Sequence, residues 1–227
     1  MAVSLEKKIE AAKVVLTKRQ LLTPPQVDVA LAIDISGSMQ GEYQDGLVQE
    51  ITERCLALAL NFDRDRKLDV WTFNNSTQYV GNVTEHKFDG FVTREILNNP
   101  KIKKWGGTDY SPVLKSVRDK FFGGAVSSIM SMFKKKNTTS PVFLMFITDG
   151  NNTDHNEFEK TLNQLRSENI YIQMLCIGND DFSYAKRVAD SEPNVGFCEI
   201  RNVKALNDEQ MMEKLVSDEF VNWAKSI

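Results

Sequence analysis

Two runs in this chain, "VALAI" at 29–33 and "VFLMFI" at 142–147, are apolar without the alternation of polar and apolar residues. A strand with one wet face alternates, whereas a strand covered on both faces reads as a continuous apolar run, the condition of a central parallel strand. Five β-branched or aromatic runs occur, at 27–35, 68–73, 142–148, 170–177 and 195–200. They alternate with helix-length segments near 44–61, 110–120, 156–169, 182–190 and 208–224. Strand-helix alternation predicts an α/β fold: a Rossmann-like, doubly wound, mostly parallel sheet with helices on both faces. The runs 29–33 and 142–147 are expected as neighbours at its centre.

At 227 residues the chain suffices for one well-buried α/β domain, and no linker suggests two. Leu5, Ile9, Ala12 and Leu16 share one helical face, so an amphipathic helix is expected before Pro24-Pro25. The organisation expected is a helix and linker over 1–26, docked on a domain over 27–227. The stretch from Phe121 to Pro141, with its Gly-Gly break, reads as a frayed helix or flexible loop. Basic residues number 28 and acidic residues 31, for a net charge of −3, which leaves no electrostatic footprint for nucleic acid. The run Lys134-Lys135-Lys136 reads as a solvated turn. Cys55, Cys176 and Cys198 are odd in number and lack CxxC spacing, which fits a reducing compartment. The amino terminus carries charges where a secretory signal needs an apolar core, and no stretch approaches the ~20 apolar residues of a membrane span. The expectation is a soluble, cytoplasmic protein.

In an open parallel sheet, ligands collect beyond the carboxyl ends of the strands, where connections diverge to opposite faces. The first strand ends there on "DISGSM", with Asp34, Ser36 and Ser38 alternating along the chain. In an extended turn this spacing lets a carboxylate and two hydroxyls converge on one point. Taken alone, such a string serves equally well as a helix cap or turn, its oxygens satisfying free backbone N–H groups. A second strand, however, ends "FITDG", with Asp149 at the equivalent edge, and the glycine turn "GGTDY" puts Thr108 before another helix. Hard oxygen donors from three loops suit a small hard cation such as Mg²⁺, which takes octahedral geometry and needs only one or two carboxylates. The composite reads as a metal site, with Mn²⁺ or Ca²⁺ as alternatives to Mg²⁺. Because Asp34 ends a strand, its carboxylate is expected to have no packing role.

Asp34-x-Ser36-x-Ser38, Thr108 and Asp149 resemble the metal-ion-dependent adhesion site of von Willebrand factor A (VWA) domains. The stretches "ERCLALALNFDRDRKLDVWTFNN", "REI", "WGGTDYSPVL", "FLMFITDGNNTD" and "EFVNWAK" are similar to the TerF-type VWA domain associated with bacterial tellurium resistance. The "SLEKKIEAAKVVL" lead-in is similar too, so the resemblance covers nearly the whole chain. It implies the VWA fold, with Ser36, Ser38 and Thr108 meeting the cation directly or through water, and Asp34 and Asp149 holding it from the same or the next layer. It implies a coordination position left for an acidic group of a protein partner, and a bacterial or phage stress-response setting. Asp109, Asn151 and Asp154 border the site and read as solvated or capping residues. The long small-residue stretch after Phe121 departs from the family pattern.

Other chemistries meet specific obstacles. A haloacid-dehalogenase phosphatase needs a second carboxylate two residues after the first as general acid, and that position is Ser36. An EF-hand loop beginning at Asp34 needs glycine sixth and glutamate twelfth, where the chain has Met39 and Asp45. Serine hydrolysis lacks its G-x-S-x-G elbow, and the histidines are His86 and His155, the latter reading as a surface or capping residue near a helix start. No P-loop or G-x-G-x-x-G cradle is present. The expected function is a cation-dependent binding module without chemistry of its own; a metal-dependent phosphohydrolase is the alternative.

Overall fold

A computed structural model describes residues 2–21, 23, 25–63, 65–123 and 140–227, with side chains from Leu5 onward. Residues 124–139 fall outside it, and with them Lys134–Lys136 and most of the stretch expected to fray. The described elements are α1 (Ala2–Lys18), β1 (Asp28–Asp34), α2 (Gln40–Gln44), α3 (Leu47–Phe62), β2 (Leu68–Phe73), β3 (Thr77–Val83), α4 (Ser111–Phe122), β4 (Val142–Thr148), α5 (His155–Leu165), β5 (Ile170–Ile177), α6 (Ser183–Ser191), β6 (Val195–Ile200), α7 (Asp208–Leu215) and α8 (Asp218–Ser226). They build one six-stranded sheet in the order β3-β2-β1-β4-β5-β6, parallel except for β3. The doubly wound, mostly parallel fold is the one the strand-helix alternation predicts. β1 and β4 are neighbours at its centre, with Ala30 opposite Leu144 and Ile33 opposite Ile147.

Every residue of β4 is buried, and its side chains divide by parity. Phe143, Met145 and Ile147 join Val29, Leu31 and Ile33 of β1 in the core under α1, α3, α7 and α8. Val142, Leu144 and Phe146 join Ala30 and Ala32 in the opposite core under α4, α5 and α6. The two alanines leave room on that face for the rings of Phe73, Tyr110 and Phe146, which meet at centroid distances of 4.6–5.9 Å. Fully burying one Leu or Ile side chain here contributes about 1.5–3 kcal/mol.

The antiparallel edge strand β3 is absent from the sequence expectation. Its residues before Val83 are exposed or only partly buried, it carries Gly81, and it meets β2 across a bulge between Val70 and Trp71, so neither a continuous apolar run nor a clean alternation marks it. The single helix expected over 208–224 is instead α7 and α8. A capping box between Asn207 and Gln210 starts α7, and the Ser217 hydroxyl, accepting the Phe220 N–H, starts α8. α1 lies against α3 and α7, with Ala12, Val15 and Leu16 in the same core as β1.

The connection leaving β1 runs to α3 on one face, while that leaving β4 runs to α5 on the other. The sheet therefore has its switch point between β1 and β4, and a crevice opens beyond their carboxyl ends.

Candidate metal centre

Asp34 is the last residue of β1 and is fully buried, its main chain registered against Phe73 of β2. Its carboxylate is bonded twice: Oδ1 accepts the Ser36 N–H at 2.7 Å and Oδ2 accepts the Thr148 hydroxyl at 2.7 Å. The first bond closes a tight turn that brings Ser36 back over the strand end. The second joins the ends of β1 and β4. The expectation that this carboxylate has no packing role is thus overturned: at a switch point between two central strands, a strand-end carboxylate lies under the loops rather than in water.

Ser36 is also buried, and its Oγ lies 3.2 Å from that of Ser38. The Ser38 hydroxyl donates to Asp149 Oδ1 at 2.8 Å. From Thr148 through Asp34, Ser36 and Ser38 to Asp149 there is thus one continuous chain of polar contacts across the crevice. Thr108 reaches the same edge by its backbone. Ser36 pairs with Gly106 in an isolated parallel bridge, the Gly37 N–H donates to Gly106 O at 2.9 Å, and Thr108 O accepts the Thr153 N–H at 2.8 Å. The Thr108 hydroxyl makes no hydrogen bond among the described residues.

The glycines before Thr108 are required by close approach. A Cβ on Gly106 would sit 3.0 Å from Asn74 Nδ2, and one on Gly107 would sit 2.9 Å from the Asn75 amide. Asn75 Oδ1 accepts the Gly107 N–H at 2.5 Å, and Asn74 Nδ2 donates to Lys103 O at 2.8 Å. The loop carrying Thr108 is thereby pressed onto the end of β2.

Several supporting residues carry no signal in the sequence. Tyr43 donates to Asp34 O at 3.1 Å, and Tyr110 donates to Gly150 O at 2.5 Å beside Thr148. Burial pushes both phenols well above their usual range, so both remain donors. A strand-end threonine preceding Asp149 is the one hint of Thr148. The bordering residues act as caps and struts. Asp154 accepts the N–H groups of Tyr110 and Ser111 at the start of α4, at 2.9 and 2.8 Å. Asp109 accepts from Thr153 and Asn75, and Asn151 donates to Asp181 O.

Burial raises the Asp34 carboxyl above the ordinary carboxylate range, partly offset by its bonds to Ser36 and Thr148. Asp149 is pushed up to about 6, by burial first and then by the charges of Asp34 and Glu42, against the opposing Ser38 bond. The charges of Asp34 and Glu42 both act to raise Asp149, so the negative charges at this edge repel one another, a repulsion that a positive charge would relieve. Among the described residues no three His, Cys, Asp or Glu side chains gather as a ligand set. The oxygens gathered at this edge are those of Asp34, Ser36, Ser38 and Asp149, with Thr108 on the adjoining loop, and hard oxygens of this kind are the donor type that a hard divalent cation would take.

A doubly wound sheet with one antiparallel edge and a D-x-S-x-S loop at its switch point defines the VWA class of domain. Within that class the chain belongs to the vWA-TerF-like family, the vWA found in the TerF C terminus, whose family model matches residues 26–227. It is 33% identical to the "Uncharacterized protein YcbR" of Bacillus subtilis, across 98% of this chain and 86% of that protein. Among solved structures it is similar to a von Willebrand factor type A protein from Catenulispora acidiphila, with a TM-score of 0.60 and 14% identity, covering 86% of this chain and 43% of that one. It is also similar to proximal thread matrix protein 1 from the mussel byssus, which has a zinc-occupied MIDAS motif, with a TM-score of 0.55 and 20% identity, covering 85% and 45%. The chain thus spans less than half of either protein. BatB from Bacteroides thetaiotaomicron is matched over 99% of its length and 88% of this chain, with a TM-score of 0.54 and 16% identity. At these identities the likeness is one of fold. No described helix is long and apolar enough to cross a membrane.

Proposed function

We propose that this chain is a cytoplasmic, divalent-cation-dependent protein-binding module, with Mg²⁺ as the cation and Mn²⁺ or Ca²⁺ as substitutes. Ser36, Ser38 and Thr108 meet the ion with neutral hydroxyls, and Asp34 and Asp149 hold it through those hydroxyls or through water. The observation that carries the reading is the Thr148–Asp34–Ser36–Ser38–Asp149 chain of contacts, which gathers hard oxygens from two strand ends around a crevice. Neutral direct ligands leave the ion's charge poorly compensated, which favours a carboxylate from a partner protein at the remaining position. Family membership supports placing the module in a bacterial or phage tellurium-resistance or stress-response system.

Calorimetric titration with MgCl₂ and a pull-down of protein partners with and without EDTA test the reading. Mg²⁺ binding is expected, together with an association that both EDTA and Thr108→Ala abolish. A protein that binds no divalent ion, or a partner held unchanged in chelator, overturns it. Mg²⁺-dependent turnover of a phosphate ester, abolished by Asp34→Asn, would favour the phosphohydrolase instead.

A further inference from the structure

Beside the candidate metal centre lies a polar cleft of ≈ 220 Å³ whose lining includes Ile35, Asn74, Ser76, Gln78, Lys101 and Lys103. It adjoins the centre through Ile35, which stands between Asp34 and Ser36, and through Asn74, which braces the loop leading to Thr108.

The segment that carries the lysines is held firmly. Ile102 is buried, and the Asn99 carbonyl and side chain accept the N–H groups of Ile102 and Lys101. Lys104 turns inward and donates to the carbonyls of Asn99 and Ile102 at 2.8 and 3.2 Å. Asn74 grips Lys103 O, and Trp105 N donates to Ile35 O. Lys101 and Lys103 flank buried Ile102, are exposed, and form no ion pair or side-chain hydrogen bond among the described residues. They differ in this from most of the other lysines and arginines among the described residues. Lys67, Lys115, Arg166 and Lys204, for example, each face a carboxylate within 3.2 Å.

Two like charges carried two residues apart on one hydrogen-bonded segment raise the positive potential there, which an anion between them would offset. The other side chains that line the cleft are amides, hydroxyls and isoleucines, with no carboxylate among them to compensate the charge. We infer that the Lys101–Lys103 cleft receives a second carboxylate of the same partner that reaches the metal centre, so that the partner's docking segment is acidic at two points. The inference rests on the cation-dependent reading above and specifies the charge pattern of what binds there. On a chain whose overall charge is −3, such a local basic edge would steer an acidic segment to this cleft.

The test uses two synthetic peptides on the full chain in Mg²⁺, one with a single glutamate among glycines and one with two glutamates spaced by a few glycines. The two-glutamate peptide is expected to bind about three- to tenfold more tightly at low salt, an advantage that fades as salt rises. Lys101→Glu with Lys103→Glu is expected to erase that advantage while leaving the Mg²⁺-induced rise in melting temperature intact. Equal binding of the two peptides, or binding of neither by protein that Mg²⁺ still stabilises, overturns the inference. Absence of the Mg²⁺ effect itself overturns the cation reading on which it stands. An advantage that survives the double substitution places the second carboxylate elsewhere and overturns the cleft assignment.

Discussion

The Ser38 hydroxyl reaches Asp149 Oδ1 at 2.8 Å, tying the loop after β1 to the end of β4 across 111 residues of sequence. These oxygens are brought together only in the folded chain, so a cation they bind acts as a ligand of the native state alone. At ten times its dissociation constant Mg²⁺ should add about 1.4 kcal/mol of stability, or roughly 3–5 °C in melting temperature. Thermal melts with MgCl₂ and with EDTA read this directly. Thr108→Ala should remove most of the shift at a cost to the metal-free protein of about 1 kcal/mol, that of trimming one buried methyl group, because its hydroxyl has no partner among the described residues. Identical melts in metal and chelator would exclude the site.

Two replacements of Asp34 should separate its structural duty from its role toward a cation. In Asp34→Asn the amide oxygen can still accept the Ser36 N–H, and the Thr148 hydroxyl can turn to Gly150 O, 3.2 Å away. In Asp34→Ala the buried Ser36 N–H loses its acceptor, at a cost of about 1–3 kcal/mol, partly offset by removing a carboxylate that burial disfavours. Both variants should lose the Mg²⁺ shift, and in urea titrations the alanine variant should be the less stable. Mg²⁺ stabilisation retained in Asp34→Asn would mean that the carboxylate has no part in binding.

At the opposite end of the sheet, Asp63 accepts the N–H groups of Val29 and Asp65, both at 2.9 Å. Burial, followed by its interaction with Asp65, pushes it up to about 7. An acid whose folded value lies above its unfolded one binds more protons when folded. Its contribution to stability therefore falls as pH rises from about 4 to about 7 and is flat above that range. Asp63→Asn should flatten the stability–pH curve in this window, by about 1 kcal/mol after allowance for solvent screening. Denaturant midpoints at pH 5 and pH 7.5 measure the slope; equal slopes in both proteins would refute the assignment.

The central strands and the clustering of Asp34, Ser36, Ser38 and Asp149 at their ends are legible in the sequence because burial on both faces and a strand-end position leave local signatures. The rest of the architecture rests on pairings that carry none. Thr148 reads as one more strand residue until its hydroxyl is seen on Asp34, 114 residues away. Asn74 and Asn75 carry no local signature, yet they hold the glycines before Thr108. β3 is a half-exposed edge strand with a bulge, and the break between α7 and α8 depends on one serine cap inside an otherwise helical pattern. Capping and edge pairing depend on single side chains, whereas core strands repeat their message over several residues.

α1 offers a last test, because it precedes the segment matched by the family model, residues 26–227, yet shares the core beneath α3 and α7. Leu16 is buried there together with Ala12 and Val15, and Lys8, itself nearly buried, pairs with Glu53 of α3 at 3.1 Å. If α1 is integral to the domain, Leu16→Ala leaves a cavity in the common core and should cost about 2–4 kcal/mol, lowering the melting temperature by roughly 5–12 °C. Lys13→Ala, on the exposed side of the same helix, should change stability by no more than about 0.5 kcal/mol. Unfolding should remain a single transition in both variants, with the Mg²⁺ shift preserved, since no residue of α1 belongs to the candidate centre. A Leu16→Ala protein that melts at the parent temperature, or one that loses α1 in a separate early transition, would show that the helix is an appendage rather than part of the domain.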